Sequence, residues 1–403
     1  MLPLFYLLPL LIYFPRLISG VETQPFIMLI FSCWILLKNP SRRPCILYFF
    51  LLVMVIFLVL LRIGVTLDVD GSLLLFQLLI GPIFFFAAVA VNAPPPSRLT
   101  FAILVAIMLC AAILEIAFPS LYESLGNMVL DRVTVFDGHR GISLFTPEPT
   151  YAAISLTYIF LLALWSGEYS GRKYPWIEWI LVLLLILTFS SYSIILLAVI
   201  FFAYWPRLFM AIFFVSLITL PILLTVDMDN IKLIRAFAAV TAIYTSDFSN
   251  FLQSISQIDP SIGSRLLTNF ASFETPSFSL LGLGLGCNSV PTAFDSLGYY
   301  FALSNEVLAQ VYAGGCIKPQ SYGAASALGL GFMVLPFLIY LLIAMPASLY
   351  VRQRRPLWRV ALWCGLLMLI IQSQLSSPIP WMLIFFSIAR YSPPLPLISS
   401  DII

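Results

Sequence analysis

The feature that most constrains this chain is the recurrence of uncharged apolar stretches close in length to a bilayer crossing. A helix needs about 20 predominantly apolar residues to cross, and fewer where neighbours bury it. Such windows fall near 2–19, 24–37, 45–63, 73–92, 99–118, 149–166, 176–190, 194–205, 208–226, 328–350, 358–376 and 379–391. Only 9% of the residues are charged and the mean hydropathy is +1.04, where a soluble globular protein carries about 25% charge. The expected fold class is all-α: a polytopic integral membrane protein of about 12 transmembrane helices, with a large outer loop containing short helices. All of 1–403 reads as a single membrane domain. The opening MLPLFYLLPLLIYFPRLIS lacks the basic n-region and the small-residue cleavage site of a signal peptide, so it reads as the first span. The windows 176–190 and 194–205 are either two spans or one helix broken at TFSSYS, 188–193.

Lys and Arg set the orientation. With a cytoplasmic N-terminus, the inner loops hold Lys38, Arg42, Arg43, Arg98, Arg172, Lys173, Arg207, Arg352, Arg354, Arg355, Arg359 and Arg390. These are twelve of the twenty basic residues, accompanied by three of the eighteen acids, so both termini are expected on the cytoplasmic side. Merging the ambiguous pair would put the later loops on the wrong face. Two outer segments exceed simple turns: 119–148, and the large outer loop 227–327.

The composition gives no sign of a nucleic-acid partner. One histidine and no acid–histidine cluster leave no dedicated metal site, and no cofactor is expected. The six cysteines form no CxxC pair; Cys287 and Cys316 share one outer segment, which leaves a disulfide between them open. Glu115, near the outer end of its helix, is expected to snorkel or pair locally. Trp176, Trp179, Trp205, Trp358 and Trp381 fit an aromatic belt.

Charge gathers in DGHRGISLFTPEPT, 137–150, where His139 and Arg140 lead through Ser143 to Glu148 and the start of a helix that Thr146 or Thr150 can cap. An arginine and a carboxylate eight residues apart, in a loop turned by prolines, suit either a shared pocket or an anchoring ion pair. In IGSRLLTNFASFETPSFSLLGLGLGCNS, 262–289, Arg265 lies on a short amphipathic helix followed by Gly282, Gly284 and Gly286. Alternating glycines either turn backbone N–H groups toward an anion or pack a tight turn against helices.

In order and spacing these two segments resemble the signatures of the O-antigen ligase/polymerase superfamily, bacterial inner-membrane enzymes that assemble lipid-linked polysaccharide. The first signature, an arginine followed by Gly, Phe and Pro at the outer end of a central helix, is answered by Arg140, Ser143, Phe145, Glu148 and Pro149. The second, a Ser-Arg followed by a proline and spaced glycines, is answered by Ser264, Arg265, Pro276, Gly282, Gly284 and Gly286. The resemblance covers about 140 to 390; the first 130 residues match only as generic spans. The ligase branch carries a His-Asn pair after the glycines, where this chain reads Ser304, Asn305 and Glu306. That departure favours the polymerase branch.

The resemblance implies a glycosyltransferase whose donor is an oligosaccharide on undecaprenyl pyrophosphate, working at the outer face of the bacterial cytoplasmic membrane. Arg140 and Arg265 would clamp the diphosphate, since guanidinium groups keep their charge and grip phosphate oxygens bidentately. They would stabilise charge developing on the leaving oxygen. Glu148 would take the proton of the attacking hydroxyl or orient Arg140. His139, Ser143, Ser264, Arg235, Asn305, Gly282, Gly284 and Gly286 are the further substrate contacts. Metal-independent displacement with inversion is the expected chemistry. Membrane lipid is a further partner, and a chain-length regulator and a flippase are companions left open. A ligase acting on a lipid A core acceptor, and a transporter or flippase of the same glycolipid, are the alternatives.

Overall fold

In this computed structural model, residues 2–14, 25–38, 53, 56–57, 60, 69–91, 94–130, 133–134, 136, 141–171, 175–211, 214–215, 260–280, 282–297, 319, 321–334, 356–371 and 376–388 are described. Among them the regular structure is entirely helical. A 3₁₀ segment, Leu2–Tyr13, precedes α1 (Phe26–Leu37), α2 (Val69–Val91), α3 (Arg98–Ala117), α4 (Pro119–Val129), α5 (Pro149–Ser170), α6 (Pro175–Leu187) and α7 (Ser191–Tyr204). Then follow α8 (Pro260–Phe278), α9 (Ser289–Leu297), α10 (Tyr322–Leu330), α11 (Pro356–Ile370) and α12 (Ile379–Ile388). Two of the described helices, α3 and α5, are long and apolar enough to cross a membrane. The expected windows 45–63, 208–226 and 328–350 fall largely outside the described residues.

α5 is the axis of the bundle. Sixteen of its residues are buried, on every side of the helix, as expected where an element is apolar all round. Its boundaries are written locally: Glu148 in an extended conformation opens it, Pro149 occupies the first turn, and Gly171 in the left-handed region closes it. The expected threonine caps are otherwise engaged. Thr146 Oγ1 donates to the Ser143 and Glu148 carbonyls, and Thr150 pairs with Ser190 of the α6–α7 turn.

Neighbouring elements run antiparallel to α5. Ser166 Oγ, near its C-terminus, donates to the Pro96 carbonyl just before α3, while the far end of α3 meets the loop before α5. Tyr158 Oη donates to the Tyr6 carbonyl, and Tyr13 packs on Tyr151, so the N-terminal segment also lies along α5 in reverse. Pro9 inside that segment cannot donate and would crowd an α-helical carbonyl four residues back, which suits the more drawn-out 3₁₀ form. Tyr6, Tyr158, Trp165, Phe385 and Phe386 form one aromatic cluster at the centre.

The apolar run 176–204 resolves into two helices. Phe189 at φ +43° breaks it, and Ser190 caps α7 by accepting from the Tyr192 N–H. Trp179 and Trp205 stack at the other end of this hairpin. Trp358 and Trp381 differ from the belt expectation: both are buried, Trp358 against Trp165, and Trp381 against Tyr322 in space that Gly81 leaves open. Residue type alone placed them at an interface; the small residue opposite admits Trp381 to the core.

Candidate functional site

The loop before α5 is fixed by an acid on another helix. Glu115, on the last turn of α3, is fully buried and receives the Ser143 N–H on both carboxyl oxygens, at 2.8 and 3.0 Å, and the Leu144 N–H at 3.1 Å. Ser143 Oγ donates to Glu115 Oε1 at 3.1 Å and lies 3.0 Å from Tyr122 Oη, which accepts the Phe145 N–H at 2.6 Å. With the Ser143 hydroxyl donating to Glu115, the bonds run in one sense from the Phe145 N–H through the Tyr122 and Ser143 hydroxyls to the carboxylate. Such chains polarise one another. Burial first, then the Glu115 charge, pushes the Tyr122 phenol well above its ordinary pKa, so it remains a proton carrier within the chain.

This network holds a costly backbone. Leu144 and Phe145 are consecutive non-glycine residues at φ +49° and +59°. Each costs about 1–3 kcal/mol unless its surroundings over-determine it, as the captured N–H groups of Ser143, Leu144 and Phe145 do here. On the other side, Ile142 donates to the Leu187 carbonyl at 3.1 Å, and Gly141 presses on Thr188 so closely that a Cβ would meet its carbonyl. The polar break between α6 and α7 is thus the seat of the loop.

The loop delivers Glu148 to the N-terminus of α5, where the helix dipole favours a negative charge. Arg265 of α8 reaches it across 117 residues of sequence, Nη2 to Oε2 at 3.4 Å, with both side chains partly exposed, at 30% and 20%. Four residues on, along the same face of α8, Asn269 Nδ2 donates to the Ile371 carbonyl at the end of α11. α8 therefore lies over the bundle end where α5 begins and α11 finishes.

Beyond α8 the glycine run makes a tight crossing. Gly282, at φ +77°, stands where a Cβ would lie 2.5 Å from the Gly329 carbonyl, and Leu283 donates to the Leu328 carbonyl at 2.8 Å. Packing against the end of α10 accounts for this first glycine. Gly284, at φ +79°, and Gly286 instead line a cavity of about 410 Å³ together with Cys287, Asn288, Ser289 and Thr292. Cys287 is disulfide-bonded; Cys316 lies outside the described residues.

Of the residues singled out from the sequence, Arg265 and Glu148 come together, Ser143 is buried in the Glu115 network, and Gly284 and Gly286 border the cavity. His139, Arg140, Arg235 and Asn305 lie outside the described residues, as does the side chain of Ser264. Of the two expectations for Glu115, snorkelling or pairing locally, the structure shows pairing: the side chain is buried and turns inward to bind the loop. The available signal was an ionisable residue inside an otherwise charge-free stretch of helix, a pattern that marks function or a specific partner. No protein-family model matches the chain, and neither does any curated protein or solved structure.

Proposed function

We propose that this protein is a polysaccharide polymerase: a multi-pass glycosyltransferase of the bacterial cytoplasmic membrane that joins oligosaccharide repeat units carried on undecaprenyl pyrophosphate at the outer face. The observation that carries the reading is the Arg265–Glu148 contact. Two motifs on which the family resemblance rests, far apart in sequence, meet at the N-terminus of the central helix. The membrane setting is supported by α3, of whose apolar window only 28% is buried against 89% for α5. Leu99, Ile103, Ile107, Ile113 and Ile116 stand exposed along α3, a face suited to lipid.

In this reading Arg265, with Arg140 from the adjoining motif, holds the donor diphosphate. A guanidinium has five N–H donors, and the contact with Glu148 engages Nη2, so the same group can also bind phosphate oxygens. The acceptor hydroxyl attacks the anomeric carbon of the donor sugar. Its proton passes to Glu148, and the electrons of the breaking C–O bond leave with the lipid diphosphate, where the arginines stabilise them. One displacement of this kind inverts the anomeric centre and calls on no metal.

The test is to express Arg265→Lys, Arg265→Ala, Glu148→Gln and Arg140→Ala at wild-type levels in cells lacking the native chain and to separate the glycans on a gel. The expected result is single repeat units exposed outside the cell from Arg265→Ala and Arg140→Ala. A full ladder from both, or repeat units trapped on the cytoplasmic side, refutes the proposal, the second by indicating a flippase. Transfer to a lipid A core acceptor by the purified protein would mark a ligase instead.

A further inference from the structure

We infer that α4 is a membrane-surface helix, seated in the outer lipid–water boundary with one face in the acyl chains of the bilayer, and that it couples this seat to the loop carrying Glu148. The inference rests on the membrane reading of α3 and not on the glycan chemistry. α4 begins at Pro119, directly after Phe118 ends the 20-residue α3, so it starts at the level at which that span stops, and Tyr122, one turn on, still bonds the Ser143 that Glu115 holds. Its residues divide into three arcs. Tyr122 and Gly126, one turn apart, face the protein. Leu121, Leu125 and Met128, at the spacing of one helical face, are exposed, as are Ile113, Ile116 and Phe118 at the end of α3. Ser120, Glu123 and Asn127, on the opposite arc, are exposed and polar.

A helix in water has no reason to keep one exposed arc apolar, and a helix wholly in lipid would not carry an exposed Glu123 and Asn127. The boundary satisfies both arcs. α4 carries no Lys or Arg, so its attachment is through apolar burial and not through attraction to anionic headgroups. The third arc makes the position consequential: Tyr122 Oη accepts the Phe145 N–H and pairs with Ser143 Oγ, three to five residues before Glu148.

The test places single cysteines at Ser120, Leu121, Leu125, Asn127 and Met128 in the full chain. Alkali-washed membrane fragments, open to reagent on both faces, are treated with a charged maleimide, and labelling is read by peptide mass. Ser120→Cys and Asn127→Cys are expected to react. Leu121→Cys, Leu125→Cys and Met128→Cys should react slower by about tenfold or more, because the reactive thiolate does not form in hydrocarbon. A denaturing detergent should remove the difference. Equal reaction on both arcs, or protection of both, overturns the placement of α4 while leaving the membrane reading intact. Release of the chain by the alkaline wash overturns both.

Discussion

Replacing Glu115 by alanine removes the acceptor shared by the Ser143 N–H, the Leu144 N–H and Ser143 Oγ, all in a buried site. A buried donor left without a partner costs about 1–3 kcal/mol, and the cavity left by the side chain adds to this. Because the three donors are neighbours that relax together, their penalties do not sum in full. A loss of about 3–5 kcal/mol follows, with Leu144 and Phe145 freed to leave their left-handed conformations. Glu115→Gln is the informative companion. With its amide oxygen in the place of Oε2 it still takes the Ser143 and Leu144 N–H groups while its NH₂ donates to Ser143 Oγ, but that NH₂ also faces the Ser143 N–H that Oε1 had accepted, so its cost is about 1–2 kcal/mol. Stability can be followed in detergent through Cys364, a fully buried free thiol, using a dye that fluoresces on reaction; exposed Cys110 gives the early phase. For a chain of this length each kcal/mol moves the midpoint by about 1 °C or more. The order wild type, Gln, Ala is expected, with Ala lower by about 4 °C or more. Midpoints for all three within 1 °C or so would mean that the loop is held by something other than Glu115.

Three further outcomes follow from the same geometry. Gly141→Ala puts a methyl group against the Thr188 carbonyl, which cannot rotate away, and is expected to lower the same midpoint about as far as Glu115→Ala; Gly171→Ala, with open space around it but φ +67°, should cost only about 1 kcal/mol. Gly282→Ala combines φ +77° with a collision at Gly329 and is expected to detach the glycine run from α10, read as faster amide exchange at Leu283 and Phe332 while α5 stays protected. Reducing the Cys287 disulfide should cost about 2–4 kcal/mol and raise amide exchange first in the cavity wall, 284–292, with no change at Glu115 or Ser143.

How much of this was legible in the sequence depends on where each signal resides. The course of α5 could be read because Pro149 and Gly171 write its ends and a long apolar run fills it; the helix goes beyond the expected 149–166 to Ser170 because GEYS continues it until the glycine. The α6–α7 break could be read because serine and threonine compete with helical hydrogen bonding, and Ser190 became the cap of α7. The motif resemblance put Arg265 and Glu148 in one site but paired Glu148 with Arg140; neither periodicity nor charge pattern says which of twenty cations approaches which acid over 117 residues. The Glu115 network could not be read, for a physical reason. Its principal partners are the backbone N–H groups of Ser143 and Leu144, and every non-proline residue offers the same donor, so the sequence of the receiving loop carries no mark of being received. The left-handed Leu144 and Phe145 are equally silent, because leucine and phenylalanine have no preference for that region and adopt it only after α3, α4 and the α6–α7 turn have closed around the loop. A site held by tertiary contacts to main-chain atoms is therefore hidden from residue patterns, and the one visible trace is the cost it implies: an acid retained in a helix that otherwise excludes charge between Arg98 and Ala117.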